Sequence, residues 1–114
     1  MELKEREEKG YRVVAVGGEL DATSSPRFEK HCTTLLEAGS HRLLIDLGGL
    51  RYISSAGLRS LLVLAKQARA AGGGLAIFGL HGVPAEVFEV AGFDQLLSLR
   101  GSEAEAVASL GAPD

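Results

Sequence analysis

The sequence predicts a small α/β domain with a mixed, mostly parallel sheet of about four or five strands and about four helices. Short apolar runs of strand length alternate with stretches of helical periodicity. This alternation indicates parallel strands joined by right-handed helical crossovers. Composition agrees, since 46% of the 114 residues are hydrophobic and 24% are charged, as in ordinary folded domains. We expect residues 1–110 to form one domain and residues 111–114 to form a flexible tail.

The N-terminal part of the chain predicts a β-hairpin. Residues 2–8 alternate in charge, which is typical of a solvated edge strand, and Lys9-Gly10 supplies a turn. Residues 11–16 are rich in β-branched side chains and predict a second strand that ends at Gly17-Gly18. The short connection makes the two strands antiparallel.

The first helix is predicted to start at residue 26. Ser25 is a good N-cap, Pro26 then occupies the first helical position, and Gly39 follows the last turn. An apolar face is formed by residues at helical spacing, namely Phe28, Cys32, Leu35 and Leu36. The chain has a single cysteine, Cys32, and we expect a buried, unreactive thiol rather than a catalytic one.

Two buried strands and a helix between them are predicted next. Residues 42–47 and 75–78 are short, nearly continuous apolar runs, which is typical of strands covered on both faces. The intervening helix ends at the glycines of residues 72–74. Its predicted buried stripe consists of Leu58, Leu61, Leu62, Ala65 and Ala68.

The C-terminal part predicts a short helix, an edge strand and a last helix. The short helix starts at Pro84, stops at Gly92 and is expected to carry the apolar residues Val87, Phe88 and Val90. Residues 95–99 predict the edge strand. Ser102 and Glu105 form a capping box for a helix that ends at Leu110.

Residues 53–57, Ile-Ser-Ser-Ala-Gly, join a predicted strand to the second helix. Such strand-to-helix turns are where α/β sheets place their sites, and the unpaired N–H groups of the first helical turn favour negative charge. Two interpretations of Ser54 and Ser55 stay open. One serine caps the helix and the other is incidental, or one hydroxyl is exposed for modification. The loop of residues 21–25 is expected at the same edge of the sheet.

Other chemistries have little support in the sequence. His31, His41 and His81 are far apart and lack the spacing of metal ligands, so no metal or other cofactor is expected. The glycines of residues 72–74 follow a helix and precede a strand, the reverse of a phosphate-binding loop. A serine hydrolase elbow needs glycine two residues before its serine, and Ile53 stands there.

Charge and hydropathy exclude further classes. The net charge is −3 and the chain has no block of like charges, so nucleic-acid binding is not expected. The sequence has no apolar run of membrane-spanning length and no signal peptide, and we expect a cytoplasmic protein without a membrane partner.

Three motifs give the chain a resemblance to a known family. They are Gly18-Glu-Leu-Asp21, then Asp46-Leu-Gly-Gly-Leu50 followed by Tyr52-Ile-Ser-Ser-Ala-Gly-Leu58, and lastly Gly92-Phe-Asp94. In this order they cover nearly the whole chain and resemble the STAS domains of bacterial anti-sigma factor antagonists. The middle motif is the most specific of the three.

The resemblance implies a regulator of transcription without catalytic activity of its own. In that family the unphosphorylated antagonist captures a serine kinase that otherwise silences a sigma factor. The kinase phosphorylates the antagonist and the complex dissociates, and a serine phosphatase resets the switch. The implied acceptor is the residue two before the motif glycine, which is Ser55, with Ser54 as the alternative.

The sequence departs from the family pattern beside the acceptor. Ser54 replaces a frequent aspartate, and Ala56 replaces a frequent serine or threonine. The resemblance still implies a set of partner-binding residues around the turn: Asp21, Thr23, Ser24, Ser54, Ser55, Ala56, Gly57 and Arg59. An alternative is a STAS scaffold in a signalling complex, or a transporter accessory, without a phosphorylation cycle.

Overall fold

The computed structural model describes residues 1–111, and its central sheet has helices on both faces. Only Gly111 of the predicted tail falls within this range, and the rest of the tail lies outside the described residues. The described elements are β1 (Glu2–Glu8), β2 (Tyr11–Leu20), α1 (Ser25–Glu37), β3 (Arg42–Asp46), β4 (Leu50–Ile53), α2 (Ser55–Ala70), β5 (Gly74–Phe78), α3 (Gly82–Val90), a short 3-10 helix (Phe93–Gln95), β6 (Ser98–Arg100) and α4 (Glu103–Ser109).

The described part of the chain forms a six-stranded sheet in the order β1-β2-β3-β5-β6, with β4 also paired to β2. The first two strands form the predicted antiparallel hairpin, and the other pairs are parallel. The mixed, mostly parallel α/β sheet is therefore confirmed. The sheet contains a strand, β4, that the sequence analysis did not separate from the turn after β3.

The fourth strand, β4, pairs with the end of β2, which extends further than the sequence predicted. The predicted end at Gly17-Gly18 is wrong: the strand passes through both glycines, with an irregularity at Gly18, and continues to Leu20. Gly18 has φ of +80°, a backbone conformation that glycine adopts without strain. The first half of β2 pairs with β3, and the segment Gly18–Leu20 pairs with β4, which takes up the place of β3 after the turn at Gly48-Gly49.

Two apolar cores lie on opposite faces of the sheet. The larger is covered by α1, α2 and α3, and the smaller lies under α4, where Ala106 packs with Val13, Leu44 and Ala76. The predicted burial of Cys32 is confirmed, and desolvation raises the pKa of its thiol to about 12. The α2 stripe differs in part, because Leu64 is fully buried while Leu62 and Ala65 are half-buried.

Two element boundaries and the burial of Val90 also differ from the predictions. The N-cap of α1 is Ser24 rather than Ser25, which is the first helical residue. Val90 lies outside the core with 90% of its surface exposed, since α3 contributes its opposite face through Phe88. The last strand starts only at Ser98 because residues 93–95 form a 3-10 turn. Ser102 is confirmed as the N-cap of α4, with its hydroxyl accepting from the Glu105 N–H at 3.2 Å, while the Glu105 carboxylate bonds to the Ser102 hydroxyl rather than to its backbone N–H.

Candidate functional site

The site predicted from the sequence lies where β2 and β4 end side by side. Leu20 pairs with Ile53, and the Ser54 N–H donates to the Leu20 carbonyl at 3.0 Å. Because both strands run in the same direction, the loop after β2 and the turn after β4 emerge at one edge. The expected proximity of residues 21–25 to the serine turn is therefore confirmed.

The two serines of the turn do different things. Ser54 has extended backbone geometry and is the N-cap of α2, with its hydroxyl accepting a long hydrogen bond of 3.4 Å from the Gly57 N–H. Ser55 is the first helical residue, and its side chain is exposed. Among the residues that the structure describes, none forms a hydrogen bond with the Ser55 hydroxyl. One serine thus starts the helix while the other is left accessible.

Gly57 fixes the position of this turn. It is buried, and a β-carbon at this residue would lie 2.7 Å from the Leu20 carbonyl oxygen and 2.8 Å from Ile53 Cγ1. Real β-carbons do not approach backbone oxygen so closely, and the first turn of α2 packs against the end of β2 only because residue 57 has no side chain. This close approach positions the first turn of α2, and with it Ser55, against the ends of β2 and β4.

The loop after β2 is held by the carboxylate of Asp21. Its Oδ1 accepts from the N–H groups of Thr23 and Ser24 at 3.0 and 3.1 Å, and from the Ser24 hydroxyl at 3.2 Å. These hydrogen bonds, the Ser24 N–H first among them, hold the pKa of Asp21 below its ordinary value. The hydrogen of the Ser24 hydroxyl is shared between Asp21 Oδ1 and the Glu19 carbonyl, the latter at 3.0 Å. Ala22 and Thr23 are the exposed residues of this loop.

A shallow depression of about 400 Å³ lies between the first turns of α1 and α2. It is lined by Ala22, Ser25, Pro26 and Glu29 on one side and by Ser55, Ala56, Arg59 and Ser60 on the other. Arg59 is exposed and stands four residues after Ser55, so the two side chains share one face of α2. Ser55, Ala56 and Arg59 were predicted from the sequence as contact residues and the loop of residues 21–25 was expected nearby, whereas the sequence carries no signal for Ser60 and Glu29.

The N-terminus of α2 carries positive character that no acidic side chain of its first turn compensates. Neither α1 nor α2 has an acidic residue in its first turn, whereas α4 has Glu103 and Glu105 there. The unpaired N–H groups of a helix N-terminus attract negative charge. The α2 end lies beside Ser55 and can receive an anionic group there, whereas the α1 end is already bonded to Asp21 and Ser24.

A larger open cavity of about 710 Å³ lies at the opposite edge of the sheet, where the helices end. Both of its arginines are already used by the fold: the Arg42 guanidinium donates to the carbonyls of Gly10 and Leu110, each at 2.9 Å, and Arg12 is paired with Glu5 and Glu7. This cavity therefore offers less chemistry than the serine turn despite its size.

Metal and thiol chemistry find no site in the described part of the chain. Residues 1–111 contain no cluster of three or more histidine, cysteine, aspartate or glutamate side chains suited to a metal ion. The His81 ring contacts the Gly48 carbonyl at 2.9 Å, and Cys32 is enclosed in the core. None of the helices described is long and apolar enough to cross a membrane.

Comparison with known proteins gives a consistent result. A family model of the STAS domain matches residues 2–106. BtrV of Bordetella bronchiseptica is 34% identical over 100 residues, which cover 88% of this chain and 86% of that protein.

Solved structures share the fold. A crystal structure from Thermotoga maritima superposes with a TM-score of 0.87 at 16% identity and covers 96% of this chain and 95% of that one. The anti-sigma factor antagonist SpoIIAA has been solved unphosphorylated and phosphorylated, with TM-scores of 0.69 and 0.70. The phosphorylated form, from Bacillus, is 17% identical, with coverage of 95% of this chain and 98% of that one.

Proposed function

The chain belongs to the STAS domain family of anti-sigma factor antagonists, a non-catalytic family, and we propose that phosphorylation of Ser55 switches its binding to an anti-sigma factor. The proposed partner is a serine kinase that binds a sigma factor and uses ATP. A serine phosphatase would restore the unphosphorylated state. SpoIIAA, which shares the fold, exists in both phosphorylation states.

The observation that carries this proposal is that the two serines have different environments. Ser54 caps α2, and its hydroxyl accepts a hydrogen bond from the Gly57 N–H. The Ser55 hydroxyl is exposed at the first helical position and is available as a nucleophile. Ser55 is therefore the proposed acceptor, and Ser54 is the alternative.

The proposed switch proceeds by phosphoryl transfer from ATP to Ser55. The Ser55 Oγ forms a bond to the γ-phosphorus of ATP, the bond from that phosphorus to the β,γ-bridging oxygen breaks, and ADP leaves. The hydroxyl proton passes to a base of the kinase. The product carries about −2 of added charge and three acceptor oxygens on an exposed surface. A partner that docks there meets a charge it must desolvate, while the domain itself tolerates that charge at the helix N-terminus.

The proposed contact surface surrounds the acceptor. Thr23, Ser55 and Arg59 are exposed, and Ala56 is half-buried between them. The other predicted contact residues are Asp21, Ser24 and Ser54, which are half-buried and hydrogen-bonded within their own turns. Gly57 is buried, so we assign it the positioning of Ser55 rather than direct contact.

Binding to the anti-sigma kinase from the same genome tests the proposal. Ser55→Asp should fold but weaken the complex by about tenfold or more, because it places a charge at the interface. Ser55→Ala should bind like the natural chain and, with ATP present, should not be released. Ser54→Ala is the matched control and should still be phosphorylated and released.

The acceptor can also be assigned directly. The tryptic fragment of residues 52–59 contains both serines, and phosphorylation adds about 80 Da to it. Fragmentation of this peptide after incubation with kinase and ATP should place the phosphate on Ser55. Phosphate on Ser54 would refute the assignment, and release of Ser55→Ala by ATP would refute the switch.

A further inference from the structure

Arg59 is placed to meet a group attached to Ser55. The two residues are one helical turn apart, both are exposed, and both line the depression between α1 and α2. An acidic group four residues before a basic one is the favourable orientation of such a pair on a helix. Arg59 forms no ion pair with any residue from 1 to 111, so its guanidinium is not committed elsewhere in that range.

Ser60 supplies an independent observation. It lines the same depression and retains only 5% of its surface, yet its hydroxyl forms no hydrogen bond with the residues described. Ser60 Oγ is not one of the fully enclosed unpaired atoms of the described residues, so this hydroxyl opens onto the depression and can donate to a group held there. Across the depression the Ser25 hydroxyl is already used, since it donates to the Asp21 carbonyl.

We propose that the phosphoryl group of Ser55 folds back into this depression, where the Arg59 guanidinium and the Ser60 hydroxyl donate hydrogen bonds to its oxygens. This proposal rests on the proposed function, because it concerns the phosphorylated state of the same serine. The depression then acts as an intramolecular anchor. Its charged lining residues are Arg59 from α2 and Glu29 from α1, so Glu29 opposes the anion and limits the strength of the anchor.

The anchor has two measurable consequences. Hydrogen bonds from a cation favour the dianion over the monoanion, so the second pKa of the phosphoserine, ordinarily near about 6, is lowered. A phosphate held against the domain is also less accessible to an attacking enzyme, so its hydrolysis is slowed. The lifetime of the released state is then set partly by this chain and not by the phosphatase alone.

Phosphoserine incorporated at position 55 during translation tests the anchor without any kinase. The pKa is measured by phosphorus NMR titration of the folded full-length chain. We expect Arg59→Gln to raise the phosphoserine pKa by about 0.3, the size of one favourable pair on a helix. Ser60→Ala should raise it as well, and Glu29→Gln should lower it.

The matched control is Arg69→Gln, which removes the same charge from the exposed far end of α2 and should leave the pKa unchanged. Equal pKa values in the natural chain and in Arg59→Gln would overturn the proposal, as would an equal effect of Arg69→Gln. A second measurement with purified components is the rate at which alkaline phosphatase removes the phosphate. This rate should rise about twofold or more in Arg59→Gln. Failure here leaves the kinase-binding tests of Ser55 unaffected, so the two proposals fail separately.

Discussion

Replacing Gly57 by alanine tests how the acceptor turn is held. The added β-carbon meets the Leu20 carbonyl oxygen at 2.7 Å, Ile53 Cγ1 at 2.8 Å and Leu20 Cγ at 3.0 Å. Two of these three atoms belong to side chains in a fully packed region, and the third is backbone of a paired strand, so none can yield cheaply. The start of α2 must move away from β2.

The size of the effect follows from two opposing contributions. Overpacking of a buried site costs about 1–3 kcal/mol. Alanine recovers about 0.5–1 kcal/mol relative to glycine within a helix. The expected net loss is therefore about 1–2 kcal/mol, which lowers the midpoint of thermal unfolding by roughly 4–10 °C in a domain of this size.

Urea unfolding followed by circular dichroism measures this loss. Gly101→Ala is a suitable control, because its β-carbon meets its nearest neighbour, Glu105 Oε1, at an ordinary 3.4 Å. We expect that control to change the free energy of unfolding by less than about 0.5 kcal/mol. A Gly57→Ala protein as stable as the natural chain, with unaltered partner binding, would refute the claim that this close approach sets the position of Ser55.

Two further predictions concern charge. Ser55→Asp should stabilise the domain by about 0.3–1 kcal/mol, because it places an anion at a helix N-terminus that lacks one. Ala70→Asp, at the other end of α2, should destabilise the domain. The urea midpoints of the two variants should therefore shift in opposite directions. Cys32 has its thiol pKa raised from 9.0 to about 12 by burial, so the unfolded chain ionises first as the pH rises. The contribution of the neutral thiol to stability is complete below about pH 9 and declines up to about pH 12. Across that range the free energy of unfolding should fall less in Cys32→Ala than in the natural chain. Parallel curves of unfolding free energy against pH would contradict the burial of the thiol.

A charge-compatible site explains how a switch can work without unfolding the domain. The first turns of α1 and α2 lack acidic residues, and both border Ser55. In the proposed switch, phosphate on Ser55 would place negative charge at the N-terminus of α2 in the free domain and would change the surface that a partner meets. The same modification is thus expected to stabilise one state and disfavour the complex.

The fold class and most of the elements follow from local patterns in the sequence. Alternating apolar runs and helical stripes predicted the order of the elements, the hairpin at Lys9-Gly10 and the N-cap of α4, since these depend on local periodicity and on turn chemistry. The motif around Ser54 and Ser55 located the candidate site. Local patterns could also predict that residues 21–25 meet this turn, because both follow parallel strands.

The individual roles of the site residues depend on tertiary packing. The sequence left open which serine caps α2, and that depends on the backbone geometry set where Ser54 bonds to Leu20. Gly18 was predicted to end a strand, because glycine commonly interrupts strands when only neighbouring residues are considered. The strand continues because residues distant in the chain, those of β4, pair with it. The closeness of Gly57 to β2 and the depression that joins Arg59 and Ser60 to α1 arise only when elements far apart in the chain pack together.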